Sequence, residues 1–370
     1  MHGWICSMFN LALQHGMPHD WTTNWIKPLH KGGDANDASN YRTIMVGSMM
    51  AKLFGCVMEM KLSAWAEINN KRARGQTGFR QAHSTIDHLV TLRVLMEESR
   101  LVGKGLYCCF VDFKKAFDMV PRDILWKRME ELQVPHEYMH AVARLYNQVI
   151  CQIRMGDQVS EPLSSDIRVK QGCPLSPTLF GLCIDRLEQM VQEYALQEGI
   201  KEVLIGNAVI MLLLYADDVV LFTHTLEDAQ KMMEVLKAFC AHSSLIVNEQ
   251  KTKIMLAKTL RTDQPLIVYN GKSIETVESF KYLGLEVPAN YKWRECAMRR
   301  LEAGKRAYYA FENMCHQGNI KCWTLKKYLF DALVLPVLLY GVEDGEVAYP
   351  HQRGKSLKGY KSASSPIFSK

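Results

Sequence analysis

Asp217 and Asp218 stand side by side in LLLYADDVVLF (residues 212–222), between two apolar runs. Like charges that close repel, and burying either is costly unless something positive meets it. The pair is therefore either a solvated hairpin tip or a metal site. A third carboxylate, Asp112, lies in GLYCCFVDFKKAF (105–117), far enough away in the chain that only the fold can unite it with the pair. Adjacent strands run about 5 Å apart. Carboxylates on neighbouring strands can thus share two hard cations about 3.5–4 Å from each other, as two-metal phosphoryl transfer requires. Oxygen-only ligation, with positions left open for substrate phosphate, favours two Mg²⁺ ions, with Mn²⁺ as the alternative. Successive strand residues face opposite sides, so Asp217 is expected to be the stronger ligand and Asp218 the weaker.

These side chains need elements to hold them. Residues 105–117 are rich in aromatic and β-branched types and predict a buried strand ending near Asp112. Residues 208–224 predict a tight hairpin around the two aspartates. Helices are expected over PRDILWKRMEEL, with Pro121 at the first helical position, over SPTLFGLCIDRLEQMVQEYALQEG, stopped by Gly199, and over LEDAQKMMEVLKAFCAHSSL. IMVGSMMAKLFGCVMEMKLSAWAEI (44–68) reads as one long amphipathic helix. CQIRMGDQVSEPLSSDIRVKQG reads as a further hairpin. In ECAMRRLEAGKRAYYAFENM, Ala297, Leu301, Gly304, Tyr308 and Phe311 recur at 4-3-4-3 spacing beside Arg299, Arg300, Lys305 and Arg306. That basic face is either solvated or tracks phosphates. Strands and helices in this order imply an α+β layer, an antiparallel sheet backed by helices.

Bulk properties exclude several classes. The 370 residues are 48% hydrophobic and 23% charged, an ordinary globular composition. The longest apolar runs are about half of what spans a bilayer, and the N-terminus lacks the basic start of a secretory signal. No membrane association is expected. Eleven cysteines without a CxxC pair suit reduced thiols in nucleus or cytoplasm. Cys315, His316 and Cys322 make at most half a zinc site. Residues 1–105 carry 12 Lys/Arg against 8 Asp/Glu, residues 106–289 carry 19 against 24, and residues 290–370 carry 14 against 7. A basic–acidic–basic order suits a chain that holds a polyanion with its ends and cations with its middle.

YADDVVLF, FVDFKKAFD, KQGCPLSPTLF and SFKYLGL occur together at workable spacings, joined by WIKPLHKGGD…NYRTI and QTGFRQAHSTIDHL. With at least six collinear motifs over about residues 10–343, the chain resembles the reverse transcriptases of non-LTR (LINE-type) retrotransposons, most like those of plant elements. The resemblance implies a right-hand polymerase: fingers over 1–105, palm over 106–285 with a fingers-like hairpin near 151–170, a partial thumb over 286–345 and a disordered tail over 346–370. It implies an RNA-directed DNA polymerase that extends a DNA primer with dNTPs on an RNA template. Asp112, Asp217 and Asp218 match the catalytic, metal-holding aspartates. Lys31 and Arg42 are similar to the residues that hold the incoming triphosphate, and Phe117 to an aromatic gate against a ribose 2′-OH. Gln171 and Gly172 stand where the family approaches the nucleotide sugar and the templating pair. Lys251 matches a position from which the departing pyrophosphate could be protonated. QTGFRQAHSTIDHL is either a structural turn or, through Arg80, a template-backbone contact; Tyr282, Leu283 and Gly284 are similar to the primer grip, and Arg299, Arg300, Lys305 and Arg306 to a phosphate-tracking thumb.

Two departures stand out. Thr43 replaces the proline usual in Asn-Tyr-Arg-Pro-Ile, which removes a rigid φ from the triphosphate loop. After LLYGVE the family pattern breaks, and the endonuclease domain expected before the polymerase has no room. The chain thus reads as an excised polymerase module, with a catalytically dead, nucleic-acid-binding relic as the alternative.

Overall fold

The computed structural model describes residues 2–37, 40–147, 149–155, 158–164, 172–258 and 266–341. Gln171 and the expected tail over 346–370 lie outside the described residues. The central sheet has five strands in the order Glu275–Thr276, Lys253–Ala257, Leu106–Val111, Asp218–Thr223, Leu212–Tyr215. Its three central pairings are antiparallel, and only the short outer pair of 253–257 with 275–276 is parallel.

Alternation along these strands builds two cores. Cys109, Val111, Leu212, Leu214, Val219, Leu221 and Ile254 face one side, where the helices Arg122–Glu131, Ser176–Ile184, Arg186–Glu198 and Leu226–Ser243 pack on them. Leu106, Cys108, Phe110, Leu213, Val220, Phe222 and Met255 face the other side. There they meet Leu89, Leu92, Leu95 and Met96 of the helix Thr85–Leu101, with Tyr282 and Val287 of the hairpin Ser279–Tyr282/Leu285–Pro288. A two-residue period with both faces apolar is what a sheet covered on both sides requires.

Elsewhere the elements differ from the sequence expectations in instructive ways. Residues 44–68 are not one helix. Tyr41–Gly47 is a strand paired antiparallel with Thr23–His30, and the helix runs Met49–Ile68. The apolar residues Ile44 and Val46 fit either period, and the cross-strand partner decides. Ile150–Met155 joins this same sheet, parallel to Thr23–His30, and its partners Gln158–Val159 and Leu163–Ser164 belong with the N-terminal sheet too. The long helix expected from Ser176 breaks at Asp185, whose buried carboxylate takes Arg72 Nε at 2.7 Å and the Ala73 amide at 3.1 Å. Gly199 caps the second half at φ 64°, as its position predicts. At the C-terminal end, the helix Trp293–Gln317 packs on the helices Trp323–Leu333 and Leu335–Leu339 through Gly304, Phe311 and Phe330. A Cβ at Gly304 would stand 2.6 Å from Leu338.

Candidate active site

Two neighbouring central strands bring the distant carboxylates together. Val111 pairs with Val219, and one further step of that register sets Asp112 opposite Asp218. Directly opposed residues of an antiparallel pair share a face. Asp112 and Asp218 accordingly line one cleft of about 410 Å³ with Lys251, Lys281, Tyr282 and Leu283. The Asp112 backbone is pinned on both sides by the turn after the Leu226–Ser243 helix. Its amide donates to Thr252 Oγ1 at 3.2 Å, and its carbonyl accepts from the Asn248 amide at 2.7 Å.

Asp217 belongs to the hairpin turn itself. Tyr215 pairs with Asp218, leaving Ala216 and Asp217 as a two-residue loop with Ala216 at φ 55°. A left-handed alanine costs free energy, and QTGFR supplies the compensating contacts. Gln76 is fully buried, and its Oε1 accepts from the Ala216 amide at 3.0 Å and from the Gly78 amide at 2.8 Å. Gly75 O accepts from the Leu214 amide at 2.8 Å, and the Thr77 amide donates to Leu214 O at 3.0 Å. The segment thus lies as a parallel partner along the edge strand 212–215. A Cβ at Gly78 would stand 2.3 Å from the Ala216 nitrogen, so only glycine permits this approach.

The charges feel one another. Desolvation pushes the Asp217 carboxyl up, with a further push from Asp112 and a downward pull from the Arg42 guanidinium. Desolvation, then Asp217 and Asp112, raise Asp218 to about 6, although its surface area is largely exposed. Asp217 and Asp218, which resist ionising beside Asp112, fit a hard divalent cation that would relieve the repulsion. Among the described residues, no group of three or more His, Cys, Asp or Glu side chains is already drawn together around a metal position. Cys315 is buried and Cys322 exposed, and all eleven thiols are free.

The remaining expected site residues divide into those facing open space and those committed within the protein. Lys31, Arg42 and Lys251 are exposed. Phe117 is half-buried, stacked on Phe180 at 4.3 Å with Phe79 edge-on at 6.2 Å. Gly172 has φ 102°, and its close approach is to the Met45 carbonyl, 2.7 Å from where a Cβ would sit, rather than to open space.

Arg80, expected at the template backbone, is instead held inside. Its Nε and Nη2 grip both oxygens of Glu67 at 2.7 and 2.6 Å, and Nη1 donates to the Ala73 and Gln76 carbonyls. Tyr282 is buried, with its hydroxyl on His88. Leu283 and Gly284 form the hairpin tip at φ 44° and 84°; Gly284 and Lys281 are exposed, and Leu283 packs partly against the second core. Arg300 is turned inward onto Tyr340, 4.6 Å from its ring, with Nε donating to its carbonyl at 3.1 Å. Arg299 pairs with Glu286 at 3.2 Å and Lys305 with Glu302 at 2.9 Å, both pairs at the surface, and Arg306 is exposed. Gln76, His88, Asn248 and Thr252 also shape the site. Gln76 and His88 stand within QTGFRQAHSTIDHL, and Asn248 and Thr252 flank Lys251 in NEQKT (248–252), but their partners lie as far as 194 positions away.

A family model described as reverse transcriptase (RNA-dependent DNA polymerase) matches residues 29–287. The chain is 26% identical to the transposon TX1 uncharacterized 149 kDa protein of Xenopus laevis, over 74% of this chain and 21% of that protein. It is 26% identical to a protein of Drosophila melanogaster named "Probable RNA-directed DNA polymerase from transposon BS", over 92% of this chain and 38% of that one. It thus spans between a fifth and two fifths of these relatives' length. Both come from animals, and the expected likeness to plant elements gains no support. In fold it is similar to apo telomerase from Candida tropicalis truncated from the C-terminal domain, with a TM-score of 0.51 at 13% identity, over 78% of this chain and 59% of that chain.

Proposed function

Because the chain belongs to the reverse transcriptase (RNA-dependent DNA polymerase) family, we propose that it is the polymerase core of a non-LTR retrotransposon protein, extending a DNA 3′-OH with dNTPs on an RNA template. One observation carries this reading: Asp112, Asp217 and Asp218 converge at the ends of two adjacent central strands, within reach of the Arg42 charge. Two divalent cations held by these carboxylates, Mg²⁺ by donor type, would when bound activate the 3′-hydroxyl and neutralise phosphate charge.

The protein's own residues divide the remaining work. Arg42, on the N-terminal sheet, and Lys31, just after its first strand, hold the triphosphate, since guanidinium and ammonium groups are natural donors to phosphate oxygens. Lys251, lining the cleft beside Asp112 and Asp218, meets the leaving group with a proton. Phe117 walls the sugar position and disfavours a 2′-hydroxyl. Leu283 and Gly284 steady the primer end, and the basic helix Trp293–Gln317 tracks the duplex backbone. In this reading the N-terminal sheet and its helices are fingers, the central sheet is palm, and the helices after residue 286 are thumb. No helix among the described residues is long and apolar enough to cross a membrane, and we place the protein in nucleus or cytoplasm. The relic alternative is not favoured, since all three carboxylates and the turn that holds them are kept.

The test is primer extension with purified protein on RNA and DNA templates, with Mg²⁺ or Mn²⁺. Asp217→Asn is expected to lower dNTP incorporation roughly 10³-fold, the equivalent of about 4 kcal/mol of lost charge stabilisation, while primer–template affinity stays within about threefold. Equal incorporation by wild type and variant would sink the proposal.

A further inference from the structure

We infer that His88 is a positioning residue that ties the hairpin Ser279–Pro288 to the carboxylate turn, and so fixes where a primer end stands relative to Asp112 and Asp218. The inference rests on the polymerase reading above. It starts from a buried side chain to which that reading gives no part. His88 lies on the helix Thr85–Leu101 and is 1% exposed. Its Nε2 is 3.0 Å from Gly75 O, and its Nδ1 is 3.0 Å from Tyr282 Oη. A carbonyl oxygen only accepts, so Nε2 carries the hydrogen. In the neutral ring Nδ1 is then a bare acceptor, and the Tyr282 hydroxyl donates to it. Burial pushes the His88 pKa down to about 4, which keeps this neutral form at any working pH.

Each end of the imidazole reaches a different part of the site. On the Nε2 side, Gly75 O also accepts from the Leu214 amide. Leu214 is two residues from Ala216, and the neighbouring Tyr215 pairs with Asp218 and stands edge-on to the His88 ring at 6.1 Å. On the Nδ1 side, Tyr282 lies parallel to the imidazole, 6.5 Å between centroids, and lines the cleft with Asp112 and Asp218. Leu283, next in the chain, is the hairpin tip. A leucine or phenylalanine at position 88 would fill the same space. Neither could donate at one end and accept at the other, and either would leave the Tyr282 hydroxyl buried without its partner. The bonding pattern is what a register device needs, and packing alone does not call for it.

The bond between His88 and Tyr282 can be cut from either side while the one to Gly75 is kept. His88→Gln places an amide N–H near the Nε2 position and gives up the bond to Tyr282. Tyr282→Phe gives up that same bond by removing one oxygen. If His88 acts through Tyr282, each variant slows single-turnover incorporation roughly 10-fold, with the half-saturating dNTP concentration and primer–template affinity within about twofold of wild type. The double variant is then no slower than either single one. A purely structural role predicts instead a fall in melting temperature with the rate per folded molecule unchanged. A double variant slower by the product of the two single effects, or unchanged rates in both single variants, overturns the inference. Amide exchange at Tyr282–Leu285 is read in parallel and needs no activity. It is expected to rise at least 10-fold in Tyr282→Phe, and unchanged protection also overturns the inference. Failure of the wild type to extend primer counts against the polymerase reading, and the exchange measurement still decides the role of His88.

Discussion

At the scale of single residues, the site is costly to ionise before any cation arrives. Asp218 titrates near 6 in the folded protein, against an ordinary value of 3.8. The folded state therefore binds more protons than the unfolded state between about pH 4 and pH 6. Stability falls as pH rises through that window and is level above it. Full conversion of the shift would exceed the real effect, because water reaches this carboxylate, and about 1 kcal/mol is the appropriate size. Asp218→Asn is accordingly expected to raise the melting temperature at pH 7.5 in EDTA, with the gain vanishing near pH 4. Thermal melts at the two pH values check it, and a variant that melts at or below wild type at pH 7.5 would refute the crowding of carboxylates. Asp112, Asp217 and Asp218 were legible in the sequence because residue type and local motif suffice to mark them. Arg80 was legible as a motif residue but not in its role, because Glu67, which claims its guanidinium, belongs to no motif. His88 carries no chemical signal of its own until Gly75 and Tyr282 are known to flank it.

At the scale of elements, the carboxylate turn depends on a segment that is neither strand nor helix. Gly75–Gly78 supplies the backbone partners of the edge strand 212–215, and so occupies an edge that would otherwise be open. Gly78→Ala forces a methyl group against the Ala216 nitrogen. The expected cost is about 1–3 kcal/mol, the range for overpacking, together with a loss of incorporation of at least 10-fold, because what moves is the backbone holding Asp217. Gly199→Ala is the control. Its φ of 64° makes alanine cost about 1–2 kcal/mol, while a Cβ there meets nothing within 4 Å, so incorporation is unchanged. Melting curves and steady-state incorporation on both variants separate site geometry from general stability. The strands 106–111, 212–215 and 218–223 were legible from composition and the apolar runs around the aspartates, while the strand 253–257 beside them was not read. The strand 41–47 and the break at Asp185 were not, since each is decided by a partner distant in sequence, Thr23–His30 in one case and Arg72 in the other. Local periodicity cannot register such partners.

At the scale of the whole molecule, the basic ends and acidic middle of the chain acquire a geometric meaning. The acidic stretch contributes the carboxylates of the central sheet, and the C-terminal excess lies partly on the exposed face of the helix Trp293–Gln317. Its basic residues have unequal roles. Arg300 is an internal brace: it stacks on Tyr340, whose hydroxyl in turn reaches the Leu283 carbonyl and Thr85 Oγ1. Arg306 is exposed and belongs, in the proposed thumb, to the phosphate-tracking face. The two substitutions should therefore separate in a salt titration of primer–template binding. Each phosphate neutralised adds roughly 0.9 to the slope of log affinity against log salt on a duplex. Arg306→Ala is expected to lower that slope by about one and to weaken binding about 5- to 10-fold at low salt, equally on all sequences, with the melting temperature unchanged. Arg300→Ala is expected to lower the melting temperature, as loss of a half-buried stacked guanidinium does, while leaving the slope within error of wild type. A slope that drops with Arg300→Ala and holds with Arg306→Ala would mean that the helix presents its opposite face to the duplex, and the thumb would have to be redrawn around it.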